Sequence, residues 1–376
     1  MDRLSARAKI RWGEWGLVLL VGGLITLYFI NAQAVSEGVR SGLAVCAVTL
    51  IPSLFPFMIL CSFLVTSRLG DRLSDAFSPV TERFFRLPSY MGSVFILSLI
   101  GGFPAGAKMI SEMYRAGRID SSIASRMLCF CVNAGPAFLI TAVGSRMFGN
   151  AAAGVLLFTS QTAASIVLAF LTRLLPTKQT EVDPVQAKTK PLMPSFVSSV
   201  KTAADAMFSV CAFVTAFSAV ISFIDSLNIA EVLDGLIAFA PKGFADAILN
   251  GLFEVTLGCA KSPDIGGTLS LYFACAICSF GGLSVMGQAL SFFSALPVKT
   301  LPYLLSRPIH MVLSCGVLFG LVKLFPGAVV TFWPANSPVA ATVFSATPTA
   351  SIALMVLCAA LIISNKGHPL SLSSLH

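Results

Sequence analysis

The stretch Ser98-Leu-Ile-Gly-Gly-Phe-Pro-Ala-Gly-Ala-Lys108 places glycine and proline inside an apolar run that would otherwise form a continuous membrane-spanning helix. A second stretch, Gly251-Leu-Phe-Glu-Val-Thr-Leu-Gly-Cys-Ala-Lys261, ends on the same Ala-Lys pair, 153 residues after Lys108. A break in mid-membrane leaves backbone N–H and C=O groups unpaired in lipid, so protein or a cavity must cover it. The two stretches therefore predict an all-α membrane protein with broken helices.

The composition agrees with this class. The 376 residues are 56% hydrophobic and 11% charged, whereas soluble domains carry about 25% charged residues. The net charge of +8 does not indicate nucleic-acid binding, because the basic residues lie mostly between apolar runs, where they are typical of topology signals. The ten cysteines all fall in apolar stretches, and we interpret them as packing residues.

Apolar runs define the predicted spans, since a helix needs about 20 apolar residues to cross the hydrocarbon core. Eight spans are predicted, at about 17–34, 42–66, 91–113, 151–174, 203–225, 244–260, 306–325 and 349–364. Two further stretches, at about 122–147 and 268–296, are interrupted by Asn133-Ala-Gly135-Pro136 and Ser279-Phe-Gly281-Gly282. We predict that both are re-entrant hairpins.

Basic residues favour a topology with both termini in the cytoplasm. Arg3, Arg7, Lys9 and Arg11 precede the first apolar run, and the polar linker from Thr177 to Lys201 is rich in lysine. A cleaved signal peptide is the alternative for the N-terminus, but no clean cleavage site follows the run.

The linker divides the chain into two halves. The predicted units are a basic segment with the first helix (1–40), a first repeat (41–175), a cytoplasmic linker (176–202), a second repeat (203–326) and a C-terminal helix and tail (327–376). Each repeat has a broken span followed by a hairpin, and Gly135 and Gly282 mark the hairpin breaks.

The predicted topology makes the second half an inverted copy of the first. Inverted halves with broken helices are typical of transporters whose solute binds near the membrane midplane. The alternative is that the glycines and prolines only permit close helix packing, which is common in membranes.

Three ionisable residues lie at the predicted membrane depth: Lys108, Glu254 and Lys261. A charge there is costly unless it is paired or faces a cavity. One interpretation gives both lysines to an anionic solute and Glu254 to coupling with a cation or proton. The alternative pairs Lys108 with Glu112, lets Lys261 reach the interface, and makes Glu254 a buried structural acceptor.

The sequence offers little material for catalysis or metal binding. It contains three histidines, His310, His368 and His376, and no motif of a zinc protease, a serine hydrolase or a phosphate-binding loop. We therefore expect no enzyme activity, no cofactor and no metal. Arg307 and His310, at the start of the seventh predicted span, are interpreted as headgroup anchors.

Four motifs in order along residues 40–325 resemble the sporulation integral membrane protein family YlbJ, also called SpoVV. They are Ile51-Pro-Ser-Leu-Phe-Pro-Phe57, Gly101-Gly-Phe-Pro-Ala-Gly-Ala-Lys108, Cys129-Phe-Cys-Val-Asn-Ala-Gly-Pro136 and Phe280-Gly-Gly-Leu-Ser-Val-Met-Gly-Gln288. That family is grouped with proteins that carry the nucleoside-recognition gate domain, which are distantly similar to concentrative nucleoside transporters. In those transporters broken helices and two re-entrant hairpins enclose the substrate.

The resemblance implies an integral protein of the outer forespore membrane that moves dipicolinic acid, a small organic anion, by alternating access. Its expected partners are this solute, the lipid bilayer and a coupling cation or proton; no nucleic acid is expected, and a homo-oligomer is left open. With the residues above, the candidate substrate site comprises Gly102, Pro104, Gly106, Lys108, Asn133, Gly135, Lys261, Ser279, Gly281, Gly282 and Gln288, with Glu254 as the coupling residue.

Two other functions stay open at this point. One is a non-transporting assembly or signalling component of spore formation that carries a gate domain. The other is a transporter of a nucleoside-like solute, although the acidic and amide residues that read ribose do not recur clearly in the first broken span.

Overall fold

The structure is a computed structural model that describes residues 25–66, 68–174, 192–236 and 243–328, together with positions 15, 18, 22 and 23. These ranges contain helices, turns and irregular segments but no strand. The predicted all-α class is therefore confirmed for the described residues.

The α-helices of the described ranges are numbered here in chain order. They are α1 (Ala32–Val45), α2 (Ile51–Thr66), α3 (Arg68–Arg83), α4 (Met91–Gly101), α5 (Phe103–Arg115), α6 (Ser121–Cys131), α7 (Ala151–Thr172), α8 (Leu192–Ser226), α9 (Ile229–Leu236), α10 (Phe244–Phe253), α11 (Val255–Lys261), α12 (Gly267–Phe280), α13 (Gly282–Ser291) and α14 (Leu301–Leu324). Two π-helical segments, Cys46–Leu50 and Ala137–Met147, and two short 3₁₀ turns, Ser262–Ile265 and Pro326–Ala328, complete the helical structure.

Four helices of the described ranges are long and apolar enough to cross a membrane: Ala151–Thr172, Met193–Ser226, Gly267–Ser291 and Leu301–Leu324. Residues Ala32–Leu50 and Leu54–Leu64 form a further bent pair, with an angle of 58° between them. The protein is thus an integral membrane protein, but eight spans are not confirmed. The first predicted span lies partly, and the last wholly, outside the described residues.

Two predicted spans are each divided into two short helices. The stretch 91–113 is interrupted at Gly102, whose φ of 80° and ψ of −173° belong to a region that only glycine adopts readily. The stretch 244–260 is interrupted at Glu254, which has an extended backbone with φ of −141° and ψ of 122°. A spacing of 153 residues from Gly102 predicts a break at position 255, and the observed break lies one residue earlier.

The two predicted re-entrant hairpins are not confirmed. Helix α12 ends at left-handed Gly281, with φ of 93°, and α13 follows from Gly282, yet Gly267–Ser291 forms one span of 25 residues. In the first half, α6 ends at Cys131 and the chain continues as the π-helix Ala137–Met147. Helix α6 packs against α5, α7 and α14, whereas the π-helix packs mainly against α7. The breaks therefore exist, but we do not observe paired hairpin arms.

Equivalent positions of the two halves make equivalent contacts across their breaks. The spacing is 153 residues for the broken spans and 147 for the segments that follow them. Gly102 lies next to Gly135, and the equivalent residues Val255 and Gly282 are also neighbours. Gly106 lies next to Cys131, and the equivalent residues Cys259 and Cys278 are also neighbours. These contacts support an internal repeat, while its inverted orientation and the boundaries of the units stay predictions.

Buried apolar residues form two clusters. The larger one joins α4 to α7, the π-helix and α11 to α14. The smaller one joins the π-helix Cys46–Leu50, α2 and α8, with Leu50, Leu54, Val210 and Val214 among its members. The cavity described next lies where the two clusters meet.

Candidate functional site

The breaks of both repeats line one internal cavity of about 30 Å³. That volume is enough for about one or two water molecules, whereas pockets for small organic ligands are typically about 300–1,000 Å³. The structure therefore shows this region closed. The lining residues are Leu50, Leu54, Gly102, Phe103, Pro104, Gly135, Phe138, Val210, Val214, Glu254, Val255, Thr256, Val285 and Gln288.

The first break is built by the backbone alone. A Cβ atom on Gly135 would lie 2.8 Å from the carbonyl oxygen of Ile100 and 3.0 Å from the nitrogen of Gly102, so only glycine fits there. Helix α5 then begins with Pro104 in its first turn, and no side chain caps it. Pro104 has no N–H, and the N–H of Ala105 donates to the Gly102 carbonyl oxygen at 3.2 Å, so this end of the cavity suits an anion mainly through the partial positive charge of the helix terminus.

The second break is built around a carboxylate. Glu254 is 2% exposed and is the N-cap of α11. Its Oε2 accepts the N–H of Leu257 at 2.8 Å, and its Oε1 accepts the hydroxyl of Thr256 at 3.2 Å. The positive end of α11 is therefore already occupied by a carboxyl group of the protein itself.

A carboxylate buried in this way needs more than neutral donors, since burying an unpaired charge is costly. No ion pair to Glu254 occurs among the residues that the structure describes. A proton on the carboxyl or a cation in the cavity would satisfy it. The structure is consistent with both interpretations of Glu254, because the side chain caps a helix and also lines the cavity.

The two lysines do not line the cavity. Lys108 Nζ lies 3.6 Å from Glu112 Oε1 and 5.6 Å from the ring centre of Phe292. Lys261 Nζ lies 2.7 Å from Asp246 Oδ2. The pairing of Lys108 with Glu112 is the alternative that the sequence left open, and Lys261 has a carboxylate partner that the sequence did not indicate.

The other predicted site residues fall into two groups. Gly102, Pro104, Gly135 and Gln288 line the cavity together with Glu254. Gly106, Asn133, Ser279, Gly281 and Gly282 lie behind the breaks, in contact with other helices or with their own turns. Gln288 Nε2 donates to Ser284 Oγ at 3.1 Å, which fixes its amide one helical turn along α13.

Arg307 and His310 are not headgroup anchors, so that interpretation is wrong. They are 1% and 0% exposed. Helix α14 begins at Leu301 instead of near residue 306, which places both side chains deeper in the helix than the sequence suggested. Gln161 and Ser165 of α7, which contact His310, were also missed. The signal that could have found this cluster is the presence of ionisable residues in an apolar helix.

Comparison with known proteins gives one informative similarity. No family model matches the chain, and no solved structure matches it. The chain is similar to the sporulation integral membrane protein YlbJ of Bacillus subtilis (strain 168), with 24% identity over 308 residues, which covers 74% of this chain and 75% of that protein. The resemblance to the YlbJ family that the four sequence motifs predict is confirmed by this match.

Proposed function

We propose that the protein is a membrane carrier that moves a small organic anion by alternating access around the cavity between the breaks. The observation that carries this proposal is the convergence of two equivalent helix breaks on one internal cavity. Broken helices expose backbone groups that a polar solute can use, and transporters with internal repeats place their sites at such breaks. The proposal involves no catalytic step.

The chemistry of the cavity supports an anion together with a proton or cation. The uncapped N-terminus of α5 offers partial positive charge on one side. Glu254 offers a buried carboxylate on the other side, which a proton or a cation would neutralise. A solute anion that enters with a coupling ion would therefore meet a complementary group for each.

The proposed solute is dipicolinic acid, and the proposed setting is the outer forespore membrane during sporulation. This identity rests on the YlbJ resemblance and on the sporulation role in the name of the similar Bacillus subtilis protein. Dipicolinate is a small rigid dianion, so one of its carboxylates could meet the α5 terminus while the other stays near the neutral donors of the cavity.

Transport would require the cavity to open. Its walls have two sides. Leu50, α2 and α8 form one side, and α5, the π-helix Ala137–Met147, α11 and α13 form the other. Separation of these two sides would enlarge the cavity, and Cys61 of α2 would then lose its contacts in the larger cluster. Motions of this kind, in which one packed body slides against another, are common in alternating-access proteins.

Reconstitution in liposomes tests the proposal. Labelled dipicolinate should enter vesicles that contain the protein, exchange with unlabelled dipicolinate inside, and respond to a proton or sodium gradient. Protein-free vesicles and uridine as the labelled solute are the controls. An absence of flux under every gradient, with protein that is monodisperse before and after reconstitution, would contradict a carrier.

The small volume of the cavity favours a second function. If the two clusters never separate, the protein would act in spore formation as a non-transporting assembly or signalling component. The discriminating result would be a purified protein that shows no flux while the same chain restores spore formation in cells that lack it.

A further inference from the structure

Helix α14 carries two buried ionisable side chains, Arg307 and His310, that are one helical turn apart. Neither lines the cavity. Burial of a guanidinium group is costly unless its charge and its N–H groups find partners. In the described part of the chain, no carboxylate lies within ion-pair distance of Arg307. Its partners must therefore explain why it is there.

The partners of Arg307 are the carbonyl groups that end α6. Its Nη1 donates to the carbonyl oxygen of Val132 at 2.7 Å, and its Nη2 donates to that of Cys129. Neighbouring Ser306 Oγ also donates to the Cys129 carbonyl, at 3.3 Å, and the ring of Tyr303 covers the guanidinium group at 4.9 Å. The last carbonyls of a helix lack intrahelical donors and carry partial negative charge, so Arg307 caps α6 from another helix.

The partners of His310 belong to the end of α12, behind the second break, and to α7. Its Nδ1 lies 3.2 Å from the carbonyl oxygen of Ser279, next to the left-handed turn that ends α12. Its Nε2 lies 3.0 Å from Ser165 Oγ, which in turn is 2.9 Å from Asn133 Oδ1 in the first break. His310 is thus connected to both breaks, directly to the second and through Ser165 to the first.

The two carbonyl groups held by α14 occupy equivalent positions of the internal repeat. Val132 and Ser279 are 147 residues apart, the same spacing as Gly135 and Gly282. We propose that Arg307 and His310 form a two-point clamp through which α14 sets the relative position of the two breaks. Since both side chains project from the same turn of α14, which contains Pro308, movement of one helix end would be transmitted to the other.

This inference deepens the proposed function, because the clamped helix ends support the breaks that line the cavity. It assigns Arg307 and His310 as positioning residues, since neither lines the cavity. The clamp itself can be measured without any transport assay. Failure of the clamp and failure of the carrier proposal are therefore distinguishable.

Native cysteines next to the clamped carbonyls report on their positions. Cys131 precedes Val132, Cys278 precedes Ser279, and both are 0% exposed; Cys46, on the side of α1 and α8, is 2% exposed and serves as the reference. The full-length protein in native membranes is treated with N-ethylmaleimide, and modification at each cysteine is quantified by mass spectrometry. The variants are Arg307→Met and His310→Leu, with Lys323→Met at the exposed end of the same helix as the control.

Loss of the Arg307 or the His310 contacts should raise N-ethylmaleimide labelling of the neighbouring cysteine by about tenfold, because local opening exposes a thiol that was buried. Arg307→Met should act mainly on Cys131 and His310→Leu mainly on Cys278, with Cys46 unchanged. Arg307→Lys and His310→Gln, which each keep one donor group, should give intermediate labelling and remain measurable if the larger changes prevent folding. Unchanged labelling at both breaks, or an equal rise at Cys46, would overturn the clamp.

Discussion

The two helix breaks occupy equivalent places in the repeat but are made in different ways. At the first break, Gly102 adopts a backbone conformation that other residues avoid, and Gly135 packs against it without a side chain. At the second break the backbone of Glu254 is ordinary extended chain, and its carboxylate caps the helix that follows. At the first break no side chain caps the helix that follows, whereas at the second a carboxyl group does.

This difference teaches that two breaks with equivalent contacts need not share their chemistry. The equivalent contacts across the breaks keep the architecture symmetric, while exchange of a glycine for a carboxylate makes the two sides of the cavity electrostatically opposite. A site with one uncapped helix end and one buried carboxylate can hold an anion and a proton or cation together, which two identical breaks could not do. The asymmetry is therefore the feature that mutations should address.

The largest expected effect comes from adding one methyl group at Gly106. A Cβ atom there would overlap the carbonyl oxygen of Cys131, and backbone can move less easily than a side chain. We expect Gly106→Ala to cost about 3 kcal/mol or more of folding free energy, and Cys259→Ala at the equivalent position of the second repeat only about 1 kcal/mol. The thermal midpoint of the detergent-purified proteins measures both.

The control for Gly106→Ala is Gly316→Ala, in α14, where an added Cβ atom would have nothing within 4 Å. Replacement of an exposed helical glycine by alanine should be neutral or stabilising by up to about 1 kcal/mol. If Gly106→Ala melted at the same temperature as Cys259→Ala, the first break would not be packed as tightly as the structure shows.

The next effect compares the two breaks directly through capping residues. Gly102→Ala and Gly102→Ser should both destabilise the protein by about 1–3 kcal/mol, because a positive φ is required whatever cap the side chain offers. Glu254→Ala should cost about 1–2 kcal/mol through loss of the N-cap, and Glu254→Asp should recover most of it. Denaturation midpoints of the four variants test this, and rescue by serine at position 102 would show that the first break needs a cap instead of a glycine.

The breaks at Gly102 and Gly281 could be predicted from sequence because their causes are local, whereas Glu254, where the second broken span is interrupted, is neither glycine nor proline. Glycine and proline within an apolar run disfavour a continuous helix whatever surrounds them, so Gly102 and Gly281 could be identified without knowledge of the fold. The repeat was visible because Ala107-Lys108 and Ala260-Lys261 preserve a spacing. Whether the chain folds back after a break depends on packing with distant helices, so the sequence alone does not establish the two hairpins, which stay predictions.

The partners of the charged residues could not be predicted because they are distant in sequence. Arg307 reaches a carbonyl 175 residues earlier, and Lys261 pairs with an acid 15 residues earlier, across the break of its own span. Only Lys108 and Glu112, four residues apart on one helix, followed from helical geometry. A backbone carbonyl as the partner of a buried arginine leaves no pattern in the sequence.

Removal of the charge at Glu254, while its helix cap is retained, tests whether transport depends on the electrostatic difference between the two breaks. Glu254→Gln keeps an oxygen that can accept from Leu257, so membrane level and thermal midpoint should stay close to those of the wild type. Dipicolinate flux should fall by about tenfold and lose its response to the coupling gradient, because an amide neither titrates nor balances a cation. Glu37→Gln, exposed on α1, is the control, and normal gradient-dependent flux in Glu254→Gln would make the carboxylate a structural cap only.

The smallest effect is expected from the two lysines, although the sequence made them candidates for binding the anionic solute. Each is paired with a carboxylate outside the cavity, and partly exposed ion pairs contribute about 0–1 kcal/mol. We expect Lys108→Met and Lys261→Met, singly and together, to change the apparent dipicolinate affinity by less than about threefold, because neither charge faces the closed site. Flux at several dipicolinate concentrations measures this. A larger loss in the double variant would mean that the lysines reach the anion when the clusters separate, and the symmetric lysines would then contribute to binding as well as the asymmetric breaks.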